Sequence, residues 1–239
     1  MKDADKDLMG IKERQLRDRE TVRRAILDAA RELFVAEGFQ NVSIRKIAER
    51  IEYSPAAIYG YFASKDDIFF ALAEEGFRLL GDPGTPPRRN ELQALPPLAR
   101  VRAVFWRLYE FSRDQPQYFA LMFVDRSVPR ISREYERFAF AREMKQQIIE
   151  ELRACIDAGD LPQTMDPNIA MRALMVGVLG VALLNLSERL MPGENADLLA
   201  ADVLNLTLAG LRSGVALQSP GDAGCPMDAS DPVVDAQAS

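Results

Sequence analysis

Apolar residues recur at spacings of three and four along nearly the whole chain, and this period limits what it can fold into more than any other feature. Val22, Ile26, Ala29, Ala30, Leu33 and Phe34 form one such stripe, and Ile68, Phe69, Leu72, Ala73, Phe77 and Leu80 form another. This is the pattern of helices that each bury one face. Gly38 follows the first stripe, where a left-handed residue ends a helix. No segment alternates apolar and polar residues between turn signals, so the expected fold class is all-α. Further helices are expected at about Leu98–Asp114, Gln117–Val124, Ser132–Ala158, Pro167–Leu190 and Asn195–Ser213. Gly81 to Pro97 holds five of the fourteen prolines and reads as a linker.

Composition removes much chemistry. The 239 residues include no histidine, so Ser-His-Asp and Cys-His nucleophiles, His-ligated zinc and the HExxH helix are excluded. Cys155 and Cys225 stand in neither a zinc spacing nor a disulfide framework. No cofactor and no metal site are expected. The apolar run Ala173–Leu184 is shorter than the roughly 18 uncharged residues that argue for a membrane span, and MKDADKDLMG does not read as a secretory signal. The expectation is a cytoplasmic protein with no membrane partner. Net charge is −6, but it is unevenly placed. Ile11 to Arg24 carries six basic and three acidic residues, a local +3, whereas Gly214 to Ser239 has four aspartates, no basic residue and no apolar period. That last stretch is expected to be a disordered tail.

Between Asn41 and Phe62 the punctuation changes. Ser43 precedes a short apolar pattern of Ile44, Ile47 and Ala48, as an N-cap does. Ser54 followed by Pro55 marks another helix start, with Ile58 and Phe62 as its apolar face. Ser64, with Asp67 three residues on, marks a third. Two short helices beneath a longer amphipathic one and beside a basic arm describe a helix-turn-helix.

The run from Thr21 to Leu72 resembles the N-terminal domain of TetR-family transcriptional regulators. The likeness lies in the Ala-Ala-x-x-Leu-Phe stripe, the Glu-Gly-Phe stop, the Ser43 cap, Ile47-Ala48, and Ser54…Ile58-Tyr59-x-Tyr61-Phe62-x-Ser64-Lys65. It implies a TetR-like fold: an N-terminal three-helix DNA-binding domain and a C-terminal helical domain for effector binding and dimerisation. The domains are then a basic arm at 1–19, a helix-turn-helix at 20–66, a ligand-binding and dimerisation domain at 67–213 and the acidic tail at 214–239. Glu52 departs from the family, which usually has glycine in this turn; a left-handed backbone there costs another residue on the order of 1 kcal/mol.

The resemblance implies a DNA-contacting set of Ser43, Arg45, Lys46, Ser54, Pro55, Ala56, Ala57, Tyr59, Gly60, Tyr61 and Lys65. Arg45 is expected to reach a base edge and Ser43 a phosphate; Tyr59, Tyr61 and Lys65 are expected to hold phosphates. Ala56 and Ala57 offer only methyl groups, so direct readout by their helix is thin and DNA shape carries more of the preference. The arm Lys12–Arg19 reads either as a DNA contact or as a solvated extension of the first helix, supported by Glu13–Arg17 and Glu20–Arg24 pairs.

In the C-terminal part, Phe105, Trp106, Tyr109, Phe119, Met122, Phe123, Phe138 and Met175 suit either a core or an adaptable apolar pocket. Leu174, Gly177, Val178, Gly180, Val181, Leu184, Leu199, Val203 and Leu206 are expected at a homodimer interface built as a four-helix bundle. The function expected is a DNA-binding repressor, not an enzyme, whose partners are double-stranded operator DNA and a small apolar or aromatic effector. A DNA-bound structural or partner-binding protein without an effector is the alternative, and a cofactor-dependent helical enzyme a more distant one.

Overall fold

The computed structural model describes residues 2–81, 91–129, 139–215 and 217, with side chains from residue 16 onward and, after the second gap, from residue 141. Phe138 and most of the acidic tail lie outside the described residues. The elements are α1 (Lys2–Glu37), a 3-10 turn (Phe39–Asn41), α2 (Ile44–Arg50), α3 (Pro55–Tyr59), α4 (Lys65–Gly81), α5 (Pro97–Asp114), α6 (Pro116–Phe119) running into a π-turn (Ala120–Val124), α7 (Ala139–Asp157), α8 (Pro167–Leu186) and α9 (Ala196–Arg212). No strand occurs among the described residues. The fold is all-α.

The chain divides into two compact units. The first is Met1–Asp82 with Phe111–Ile131; the second is Pro83–Glu110 with Ser132–Ser239. Helix α4 and residues 111–131 therefore group with the helix-turn-helix, beyond the expected boundary after residue 66. The reason is packing. Ile68, Phe69, Leu72 and Ala73 of α4 are buried with Ile26, Ala30 and Phe34 of α1, Ile47 and Ala48 of α2, and Ile58 of α3. Phe39 packs between Phe34 and Phe69, tilted against the first at 5.0 Å and edge-on to the second at 5.7 Å between ring centres. A Cβ on Gly76 would lie 2.3 Å from Met122 Sδ and 3.3 Å from Tyr118, so α4 lacks a side chain where the later segment presses on it. Arg31 donates to Gln117 at 3.0 Å and to the Tyr118 hydroxyl at 2.9 Å, and Gln40 donates to the Ser127 carbonyl at 2.7 Å.

The basic arm is part of α1, which is helical from Lys2 onward. The Glu13–Arg17 pair falls outside the described side chains. Arg24 does not take Glu20 as expected: it bonds to Asp28 at 3.2 Å and to Glu75 of α4, while Glu20 pairs with Arg23. The expected helix Gln117–Val124 starts one residue earlier and widens, with Asp125 N–H donating to the Ala120 carbonyl at 2.8 Å.

In the second unit α8 and α9 pack along each other, burying Ala170, Leu174, Val178, Val181 and Ala182 against Ala200, Leu204, Leu208 and Leu211. Helix α8 stops at Leu186, short of the expected Leu190. Glu188 adopts φ 53° and a pair of reversed bonds, Arg189 N–H to Leu184 and Glu188 N–H to Asn185, closes the end as a Schellman cap. Helix α8 is also, among the described residues, the one helix long and apolar enough to cross a membrane by length and composition. Its apolar stretch extends beyond Ala173–Leu184 at both ends of that run.

Cys155 is buried, and burial pushes its thiol up to about 11. Gly177 separates two roles within α8. A Cβ there would stand 2.9 Å from Val203 Cγ1 and 3.4 Å from Thr207 Oγ1, whereas Gly180 has nothing within 4 Å. Gly177→Ala is expected to destabilise the chain by about 1–3 kcal/mol through overpacking, and Gly210→Ala on α9, where a Cβ would also meet nothing within 4 Å, to stabilise it by up to about 1 kcal/mol through helix propensity. Urea unfolding midpoints of the two variants check this; equal shifts would contradict the packing.

Candidate nucleic-acid interface

Helices α2 and α3 have seven and five residues, too short to persist alone in water. Caps and burial hold them. Ser43 Oγ accepts from Lys46 N–H at 3.2 Å and Ser54 Oγ accepts from Ala57 N–H at 3.1 Å, while Pro55 occupies a first-turn position where no amide is needed. Ile44, Ile47 and Ala48 anchor α2 from below, and Ile58 and Phe62 anchor α3 and its exit.

The turn between them is a second Schellman cap. Tyr53 N–H donates to the Ala48 carbonyl at 2.9 Å and Glu52 N–H to the Glu49 carbonyl at 3.3 Å, with Glu52 at φ 59°. The departure from glycine thus leaves the turn intact and places a glutamate in the left-handed region. Ser64 starts α4 with a variant capping box: its Oγ accepts from Asp67 N–H at 3.1 Å and donates to the Asp67 carboxylate at 2.8 Å. The aspartate is too short for the usual return to the cap's backbone amide.

With the apolar sides buried, Pro55, Ala56, Tyr59 and Gly60 of the second helix are exposed beside Ser43, Arg45 and Ser54. Ala57 and Tyr61 are half-buried. Arg45 is the freest cation of the set: its side chain is 80% exposed and bonded to Glu49 on the same helix at 2.8 Å, an exchangeable surface pair worth little. Tyr59 is 57% exposed. Lys46 and Arg50 are tied back to α1, to Glu37 and to Glu32 respectively. Lys65 is turned inward, donating to the Phe39 and Val42 carbonyls. The sequence reading missed two stacking contacts from α1: the Arg19 guanidinium lies 5.8 Å from the Tyr61 ring and that of Arg23 lies 5.5 Å from Phe62. Their signal was present as arginines four apart on one face of α1. Small side chains backed by a buried core, with Arg45 and Tyr59 at hand, leave the exposed side of the second helix open to close approach by a groove about 12 Å wide.

The expected effector residues do not assemble in one unit. Phe119, Met122 and Phe123 belong to the first unit, where Met122 presses on Gly76 and Phe123 lies 6.4 Å from Phe77. Phe105, Trp106, Tyr109 and Met175 belong to the second. There Phe105 and Tyr109 are buried, Trp106 lies 5.2 Å from Tyr109, and the Tyr109 hydroxyl is 2.6 Å from Asp197. A cleft of about 450 Å³ in this unit, between Leu98 and Arg102 of α5 and Leu208 and Arg212 of α9, is lined by none of them. Among the expected dimer residues, Leu174, Val178 and Val181 are spent inside the subunit and Gly177 makes room for Val203 of the same chain. Gly180, Leu184 and Leu206 are exposed; Leu199 and Val203 are half-buried.

Comparison with known proteins follows the same division. Residues 26–72 match the family described as bacterial regulatory proteins, tetR family, and residues 101–206 match the tetracyclin repressor-like C-terminal domain. An HTH-type transcriptional repressor of Mycobacterium tuberculosis is 43% identical over 53 residues, 22% of this chain and 28% of that protein, so the match spans under a third of its length. The transcriptional regulator TcmR of Streptomyces glaucescens is 28% identical over 157 residues, covering 63% of this chain and 67% of its own. The transcriptional regulator FadR of Bacillus subtilis, solved with stearoyl-CoA, superposes with a TM-score of 0.64 at 15% identity over 78% of this chain and 98% of that one.

Replacing Glu52 by glycine is expected to raise stability by up to about 1 kcal/mol, because the left-handed strain disappears and is only partly offset by glycine's larger unfolded-state freedom. Glu52→Ala should bring no such gain. Thermal unfolding of the two variants tests the turn; a lower midpoint for Glu52→Gly than for Glu52→Ala would contradict it.

Proposed function

The chain belongs to the TetR family of bacterial transcriptional regulators, and we propose that it binds a roughly palindromic operator as a homodimer, represses there, and is released by a small apolar or aromatic effector. The observation that carries the DNA-binding part is the joint exposure of Arg45, Ala56 and Tyr59 on two capped helices whose other sides are buried. Ser43, Arg45, Ser54, Pro55, Ala56, Ala57, Tyr59, Gly60 and Tyr61 make up the proposed contact surface. Arg45 reads a base edge, the hydroxyls position the phosphates, and the alanine methyls allow close approach.

The dimer rests on an apolar face left over after the subunit has folded. Val176, Gly180, Leu183 and Leu184 stand at spacings of three and four on α8, and Leu198 and Leu206 are exposed on α9; Val176 is 61% and Leu206 71% exposed. Such a stripe on an otherwise well-packed helix pair calls for a cover, and a second copy of the same pair supplies one of matching shape under two-fold symmetry. Two reading heads related in this way prefer inverted half-sites one helical turn, about 34–36 Å, or a multiple apart.

The effector reading is supported by the aromatic and thioether side chains Phe105, Trp106, Tyr109 and Met175 of the second unit and by the acyl-CoA carried by the Bacillus subtilis neighbour. Release requires the effector to bind the DNA-free arrangement more tightly than the DNA-bound one; equal affinity would shift nothing.

Selection of bound duplexes from a random pool by the full-length chain tests the function, and inverted half-sites at the stated spacing are the expected result. Arg45→Ala should then relax preference at one position per half-site by about 1–3 kcal/mol; uniform weakening would make Arg45 a backbone contact instead. The double variant Val176→Glu with Leu206→Glu is expected to sediment as a helical monomer and to lose operator affinity, whereas an unchanged dimer would refute the proposed face.

A further inference from the structure

By sequence the arm Lys12–Arg19 admits two roles, a DNA contact or a solvated extension of the first helix, and the surroundings of its last residue favour the first. The Arg19 guanidinium lies 5.8 Å from the centre of the Tyr61 ring. Tyr61 stands two residues past the end of α3, where its N–H donates to the Ile58 carbonyl at 2.9 Å, so its place is set by the reading helix. Arg19 is exposed and has no carboxylate partner among the described residues, and the hydroxyl of half-buried Tyr61 has no hydrogen-bond partner among them.

A solvated extension would give Arg19 a carboxylate one turn away. The residues at those spacings are Gln15, Leu16, Val22 and Arg23. Arg23 is a like charge at i+4, which by itself weakens the helix. Glu20 neutralises only one of the two: it pairs with Arg23 at 3.5 Å, and Arg23 lies 5.5 Å from the centre of Phe62, a buried ring without a polar group. Arg19 alone combines a free charge with a ring that carries a hydroxyl.

We propose that Arg19 and Tyr61 together form a site for a backbone phosphate, which carries the DNA contact past the helix-turn-helix onto α1. The ring face holds the guanidinium and leaves its N–H edge for an anion. The phenol hydroxyl supplies a second donor beside it. A phosphate at this point also relieves the repulsion between Arg19 and Arg23, which no described carboxylate does on the Arg19 side. Arg17 does not share the site, because residues two apart on a helix face different ways.

This inference rests on the DNA-binding reading, and its test separates the two. The full-length wild type and the variants Arg19→Gln, Arg19→Lys and Arg153→Gln are titrated over a range of salt with the duplex selected by the wild-type chain, flanking base pairs included. Arg153 is exposed on α7 of the second unit, so its variant changes the net charge equally. Arg19→Gln is expected to reduce the slope of log K against log salt by about 0.9 per bound subunit and to weaken all operator variants alike. Arg19→Lys and Arg153→Gln are expected to keep the wild-type slope. An unchanged slope in Arg19→Gln would overturn the proposal and leave Arg19 a stacking contact within the protein. An equal reduction in Arg153→Gln would overturn it in favour of overall charge, and a loss confined to one base position in favour of a base contact. A wild-type chain that selects no duplex would refute the DNA-binding reading itself, whereas a wild type that binds beside an Arg19→Gln variant of unchanged slope would refute this site alone.

Discussion

Everything at the reading surface depends on apolar burial beneath two helices that cannot stand alone. A helix of five or seven residues spends most of its length in unsatisfied ends. Helices α2 and α3 persist because Ile47, Ala48 and Ile58 are removed from water against Ile26, Phe34, Ile68 and Phe69, each large side chain contributing about 1.5–3 kcal/mol. Once their inner sides are committed in this way, the outer sides are free of any packing duty. Small residues can then occupy the reading helix, as Pro55, Ala56, Ala57 and Gly60 do, without loss of the fold.

Polar groups refine this platform. Ser43, Ser54 and Ser64 each satisfy an amide at a helix start, and the Glu52 turn satisfies two carbonyls at a helix end. Lys46 and Arg50 bind α2 to α1, and Arg24 links α1 to α4. An acidic chain with a net charge of −6 is thus compatible with a DNA-facing surface, since the carboxylates of Glu37, Glu32 and Glu75 hold basic residues in place while Arg45 is left toward solvent. Affinity for DNA depends on local cations at the contact and not on the sum over the molecule.

Elements with a local signature were legible in the sequence. The stripes from Val22 to Phe34 and from Ile68 to Leu80 gave the two long helices of the first unit, and serine followed by an apolar pattern marked α2, α3 and α4. Features that depend on distant partners were not. Nothing near Gly76 in sequence announces that Met122 presses on it, so the membership of residues 111–131 in the first unit was invisible. The period of α8 shows which residues are apolar but not which face is covered by α9, so Leu174 and Val178 could not be told from Val176 and Leu183. Lys65 illustrates the same limit at the site: a lysine at a helix start has the chemistry of a phosphate ligand, and only the turn at Phe39–Val42 reveals other partners for it.

The central claim is that the chain meets DNA through the exposed sides of α2 and α3. Amide hydrogen exchange of the full-length chain, with and without a duplex selected from a random pool, measures this most directly. The account predicts added protection concentrated at Ser43–Lys46 and Ser54–Tyr61. Tight binding that leaves both stretches unprotected, with protection only in residues of the second unit, would contradict it.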